Sequence, residues 1–341
     1  AHALTLLIAA GAWDDVHRAL ADPAVAAQAS PTLKARAAIE RSAYGEALRW
    51  LLPAAYERPE PGALALAAVA ALAWAVFCAR LGKVGERPVF RLALYTTAFA
   101  LGTFSVVVTD GLVLLEESKL RLVETGDPAR DLLYFVFGVG LREEASKLLL
   151  FLPLLPVVRR YGAHLDVLVS AAFVGLGFAA MENVLYLSRG ALTAGLERFV
   201  TANFLHMAMT AVLARGVDEL ADRGDAYAPE LSRTALLVVG LHGAYDFLLS
   251  HPSFGGSYFA MALLFIMAAP FLSAVDHARG RTAGDESLLR TFVVGVSAVA
   301  GATFLWACIL AGPKAAALAS AESLLGTVLL IYAFAQRFRT L

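Results

Sequence analysis

Residues 132–157 read LLYFVFGVGLREEASKLLLFLPLLPV. The run is long enough to cross a bilayer, which takes roughly 20 apolar residues. Glu143, Glu144 and Lys147 interrupt it. Hydrocarbon tolerates ionisable groups poorly, by roughly 2.5–3.5 kcal/mol each on insertion scales, so such groups usually face one another or a water-filled cavity. Three further apolar runs are interrupted in the same way, by Glu182 with Asn183, by His206, and by His242 with Asp246. Four helices that each bring acid, base or amide groups into apolar surroundings imply a polar site inside a membrane protein.

Composition agrees. Hydrophobic residues make up 59% of the 341 residues and charged residues only 17%, against about 25% charged in a soluble domain. The net charge of −1 offers nothing to a polyanion, so no nucleic-acid partner is expected. Cys78 and Cys308 both lie in apolar runs and read as core residues rather than a disulfide or metal pair. The first residues lack the basic start and small-residue cleavage site of a signal peptide.

The fold class expected is all-α, a polytopic membrane protein of eight or nine transmembrane helices. Candidate spans fall near 62–80, 92–114, 132–157, 164–187, 198–216, 232–250, 257–275, 290–311 and 316–336. Alternate connections are basic: Arg80, Lys83, Arg87 and Arg91; Arg159 and Arg160; Arg215, Arg223 and Arg233; Arg279, Arg281 and Arg290; Arg337 and Arg339. The others hold Arg189 and Arg198, then none, then Lys314, while 116–131 is more acidic than basic. Short basic loops stay cytoplasmic, so nine spans put the C-terminus inside and the N-terminus outside.

Residues 1–58 differ. They are Ala-rich and charged, with helical spacing, and read as a short soluble helical hairpin. Trp13, Val16 and Leu20 match Tyr44, Ala47 and Leu51, a period close to that of a tetratricopeptide helix pair. Such a hairpin offers a surface to a protein partner. Pro59 and Pro61 mark the linker into a membrane domain over 59–341.

The polar residues carry the chemistry. Lys147 lies four residues from Glu143 and three from Glu144, within reach of either on one helix. It can hold one carboxylate anionic while the other takes a proton. His242 and Asp246 are four apart and share a helical face, where Asp246 can orient an imidazole or hold substrate backbone. The glycines ahead of Glu182, Gly175 and Gly177, permit close helix approach. Two histidines with several carboxylates also match the inventory of a catalytic zinc site, with Glu143, Glu182, His206 and His242 as ligands. Glu143 lies about eleven residues from the outer end of its span, His206 and His242 about eight, and Glu182 about five. At 1.5 Å per residue these depths agree within roughly 9 Å, which groups them into one constellation.

The motifs Glu143-Glu144-x-x-Lys147, Phe178-x-x-x-Glu182-Asn183, His206-x-x-x-Thr210 and His242-x-x-Tyr245-Asp246 resemble those of the PrsW family of intramembrane proteases, relatives of the prenyl endopeptidases and Abi proteins. The resemblance covers about 90–275. It implies an intramembrane endopeptidase of the bacterial cytoplasmic membrane, embedded in lipid, that cuts a single-span membrane protein such as an anti-sigma factor on the outer side. It implies Glu143 as general base supported by Glu144 and Lys147, His206 and His242 activating water or holding the oxyanion, and Asp246 positioning His242 or substrate. Glu182 stands where the prenyl-peptidase relatives have a histidine. Two other classes use the same residues: a proton-coupled transporter, and a membrane scaffold docked through residues 1–58.

Overall fold

The computed structural model describes residues 2–56, 59–188, 194–251, 256–280 and 286–340, all helical in their regular parts. Arg189 and Arg281 lie outside the described residues. The N-terminal region is five short helices rather than one hairpin: α1 His2–Ala9, α2 Trp13–Leu20, α3 Pro23–Gln28, α4 Pro31–Glu40 and α5 Tyr44–Ala55. Two Pro-led starts divide it. Asp22 accepts from the Ala24 amide and Ser30 from the Leu33 amide, each a side-chain cap followed by Pro at the first helical position. The sequence repeat has a backbone counterpart. Gly11 (φ 66°) and Ser42 (φ 60°) turn left-handed, and Ala12 (φ −81°, ψ 62°) and Ala43 (φ −85°, ψ 60°) then open α2 and α5.

The remaining helices are α6 Pro61–Leu81, α7 Pro88–Leu115, α8 Pro128–Leu133, α9 Leu141–Phe151, α10 Leu155–Tyr161, α11 His164–Ser188, α12 Ala194–Val200, α13 Ala202–Arg223, α14 Ala228–Ser250, α15 Gly256–Arg279, α16 Glu286–Ala311 and α17 Pro313–Thr340. Among the described residues, five helices are long and apolar enough to cross a membrane: Pro61–Leu81, Pro88–Leu120, His164–Ser188, Phe259–Arg279 and Ser287–Ala311. The candidate spans near 132–157, 198–216, 232–250 and 316–336 are not among these five, and the first three carry polar residues of the candidate site. The first of these is also not one helix. A π-helical stretch, Tyr134–Gly140, joins α8 to α9, and Leu152–Leu154 is a 3₁₀ turn. Pro153 and Pro156 cannot donate to the helical ladder.

Helix α11 is the hub, packed on α6, α7 and α13, and buried along most of its length. The basic loops meet at one end of the bundle. Arg87 donates to the Tyr161 carbonyl, Arg279 to that of Leu81, Arg91 pairs with Asp166, and Arg159 pairs with Asp218. Toward the other end, α4 and α5 bury Ala38, Ile39, Leu51 and Ala55 against Val107 and Leu114 of α7.

Candidate active site

Glycine brings the site helices into contact. A Cβ on Gly175 of α11 would lie 2.3 Å from the His206 carbonyl of α13. A Cβ on Gly243 of α14 would lie 2.4 Å from the Val136 Cα, and one on Gly140 2.6 Å from the Val239 carbonyl. The π-helical stretch therefore meets α14 backbone to backbone. Glu143 and Glu144, on the first turn of α9, are carried directly against His242.

Lys147 is fully buried at the centre. Its Nζ donates to Glu144 Oε1 (2.8 Å) and lies 3.4 Å from Glu143 Oε2. It also lies 2.8 Å from His206 Nδ1 and 3.9 Å from the centre of the Phe178 ring. A charged amine only donates, so His206 Nδ1 accepts. The proton of a neutral His206 then sits on Nε2, which donates to Glu182 Oε2 at 2.9 Å.

His242 is held from both sides. Its Nδ1 lies 2.8 Å from Glu144 Oε1, a carboxylate also bound by Lys147, so Nδ1 carries a proton and donates. Its Nε2 lies 3.4 Å from Glu143 Oε2 and 3.3 Å from Asp246 Oδ2. Glu144, rather than Asp246, thus fixes the inner nitrogen. Asp246 shares the outer nitrogen with Glu143. Thr210 Oγ1 reaches Glu144 Oε2 at 3.5 Å.

Glu143, Glu182, His206, His242 and Asp246 line one cavity of about 460 Å³. Its walls come from residues 106–113 of α7, the π-helical stretch and the start of α9, the last turns of α11, Arg198 of α12, the start of α13 and the last turns of α14. All of these lie at the end opposite the basic loops. Asn183 is buried beside the cavity and donates to Asn203 Oδ1 (2.6 Å). Sequence reasoning missed Arg198 of α12. It donates to Glu182 Oε2 (2.6 Å) and Asn183 Oδ1 (2.5 Å) and lies over the Tyr186 ring.

A family model described as PrsW family intramembrane metalloprotease matches residues 91–275, more than half of the chain. The chain belongs to the PrsW family. A relative named Protease PrsW, from Clostridioides difficile (strain 630), is 29% identical over 158 residues. The alignment covers 44% of this chain and 65% of the relative, so the chain spans just under two thirds of that relative's length. No solved structure matches.

The matched region contains every polar group of the cavity, and the family description raises a metal. Among the described residues, Glu143, His206 and His242 offer ligand atoms that all lie within 4.8 Å of one another. One carboxylate and two imidazoles suit zinc, which takes such ligands near 2.0–2.2 Å. His242 fits directly, since a metal-binding imidazole usually donates its other N–H to a carboxylate, here Glu144. His206 would ligate only by giving up Lys147 at Nδ1 or Glu182 at Nε2. Glu182 stands outside this group of three, held by Arg198 and His206. The donor set therefore fits the ion with three protein ligands.

Proposed function

We propose that this chain is an intramembrane endopeptidase that hydrolyses a peptide bond of a single-span membrane protein, an anti-sigma factor being one such class. The observation that carries the reading is the convergence of Glu143, His206 and His242, from three helices, within one cavity. General acid–base chemistry needs groups within hydrogen-bond reach of the same reacting atoms, and these three meet that requirement.

In the reaction, Glu143 takes a proton from water as the water oxygen bonds to the scissile carbonyl carbon. Glu143 hands that proton to Nε2 of His242, 3.4 Å away, whose ring Glu144 fixes through Nδ1, and Nε2 delivers it to the departing amine. The Nε2–H of His206 is the neutral donor nearest the developing oxyanion, and Lys147 balances the charge of Glu144 and Glu143. Zinc held by Glu143, His206 and His242 would instead supply Lewis-acid activation of the water, in place of these proton transfers. The substrate must be unwound over the reacting bond, because helical carbonyls already accept hydrogen bonds.

We read the apolar segments as nine spans, with the meeting of the basic loops at one end as support. The cavity then faces the outer half of the bacterial cytoplasmic membrane. Helices α4 and α5 pack toward the same end, which supports a role for the N-terminal region in meeting a protein partner. The proton-coupled transporter draws no support from the family match.

Elemental analysis and cleavage assays on the purified protein in vesicles test the reading together. Cleavage of single-span peptides should accompany about one zinc per chain, and Glu143→Gln should abolish cleavage. Full cleavage by a metal-free preparation would remove zinc and leave the glutamate–histidine route. Absence of cleavage by the wild-type protein, metal-loaded and metal-free alike, would remove the peptidase reading.

A further inference from the structure

The cavity extends past the catalytic cluster onto α7, where its wall is polar and unpartnered. Ser105 and Thr103 satisfy their hydroxyls on backbone carbonyls of their own helix, at 2.6 and 2.8 Å. Thr109 does not. It is 5% exposed, lines the cavity, and its Oγ1 finds no partner among the described residues. Asp110 follows it, also lining the cavity, and accepts no hydrogen bond and joins no ion pair among the described residues. A carboxylate in a long apolar helix without a partner marks a functional position by default.

The charges around it are already assigned. Six charged side chains line the cavity: Asp110, Arg142, Glu143, Glu182, Arg198 and Asp246. Arg198 is bound to Glu182, and Arg142 donates to Glu116 at 2.5 Å. Glu143 and Asp246 face His242. Among the described residues Asp110 is left as the carboxylate with no hydrogen bond or ion pair, and Arg142, already bound to Glu116, acts on it through charge alone. The helix that carries it is fixed from behind: Leu51 of α5 seats on Gly111, and Val107 and Leu114 join the same buried cluster. The backbone that carries this half-buried carboxylate is thus held in place at the cavity wall.

We propose that Asp110, with the Thr109 hydroxyl, forms a subsite for a basic side chain, Lys or Arg, of the peptide being cut. An ammonium or guanidinium would complete the missing pair and give Thr109 Oγ1 a donor. The cavity's acidic excess would favour it over an acidic or neutral residue. The subsite acts on which bond is presented, not on the chemistry, and it rests on the peptidase reading.

A pooled library of single-span peptides, randomised in the segment outside the span, tests it. Each peptide is incubated with the protein in phosphatidylcholine vesicles, and cut sites are read by mass spectrometry. The wild type should enrich Lys and Arg at one position relative to the cut by at least about tenfold, the scale of an opposite-charge contact. Asp110→Asn and Asp110→Ser should each lose that enrichment while still cutting sites without a basic residue. Asp110→Lys should turn the preference toward Glu and Asp at the same position. Equal site preferences in the wild type and all three variants would overturn the subsite and leave the peptidase reading intact. Absence of cutting by the wild type overturns both. Loss of all cutting by each of the three variants, with wild-type melting temperatures, would make Asp110 part of the catalytic chemistry and overturn its role in selection.

Discussion

Lys147 Nζ lies 2.8 Å from His206 Nδ1 while donating to Glu144 at the same distance. One buried cation thereby sets the tautomer of one histidine and, through Glu144, the orientation of the other. Glu143, Glu182, His206 and His242 keep their places around it.

Lys147→Met keeps the length of the side chain and removes its charge. Glu143 and Glu144 then become adjacent buried carboxylates without a cation. Breaking such a pair on one side usually costs about 3–5 kcal/mol. A lower melting temperature is expected, with cleavage reduced at least 100-fold. Glu144→Gln should be milder in stability and should lower cleavage by about 10–100-fold, the range for a carboxylate that orients a histidine. Thermal melting and single-turnover cleavage of both variants check this. Wild-type cleavage by the Met variant would remove the central role of Lys147.

Gly175 tests the packing that delivers His206. Its Cβ position lies 2.3 Å from the His206 carbonyl, whereas nothing lies within 4 Å of one on Gly240. Gly175→Ala must push α11 from α13 and is expected to lose about 1–3 kcal/mol, with a marked loss of cleavage. Gly240→Ala should match the wild type or gain up to about 1 kcal/mol. Melting curves of the two variants side by side decide it.

A third expectation concerns acid. Asp131, on α8, is fully buried and lies just ahead of the apolar run. The Thr125 amide first, then the Thr125 hydroxyl, the Gly126 amide and His251, hold its carboxylate below the ordinary range. A lowered folded-state pKa contributes stability that is present above the unfolded value and lost as pH falls through the folded value. Asp131→Asn should therefore melt below the wild type near neutral pH. The gap should narrow as pH drops below about 4, the usual Asp value. A gap that widens on acidification would contradict the sign.

The sequence carried much of this. Glu143, Glu182, His206 and His242 could be grouped from depth alone, because helical rise converts position along a span into distance. Depth says nothing of direction around a helix. It therefore did not reveal that Glu144, and not Asp246, takes the inner nitrogen of His242. Arg198 was legible only as a loop charge, since a count of loop charges ignores partners. Its place a few residues ahead of the Asn203–His206 run was the one available signal. The break in residues 132–157 was visible in Pro153 and Pro156. The π-helical turn at 134–140 was not, because it goes with the close approach of Gly140 to Val239 and Gly243 of α14. At the N-terminus, Asp22-Pro23 and Ser30-Pro31 are the cap signals of the extra helices, whereas the repeat between Trp13 and Tyr44 points to two.

The most direct test of the account is hydrolysis in ¹⁸O-labelled water by the purified protein in vesicles, with a cut peptide from the pooled library as substrate. The wild type should place one ¹⁸O in the new carboxylate of the product. Glu143→Gln, folded and melting as the wild type does, should yield no product. Labelled product from the Glu143→Gln variant at the wild-type rate would contradict the placing of the reaction at the Glu143–His206–His242 cavity.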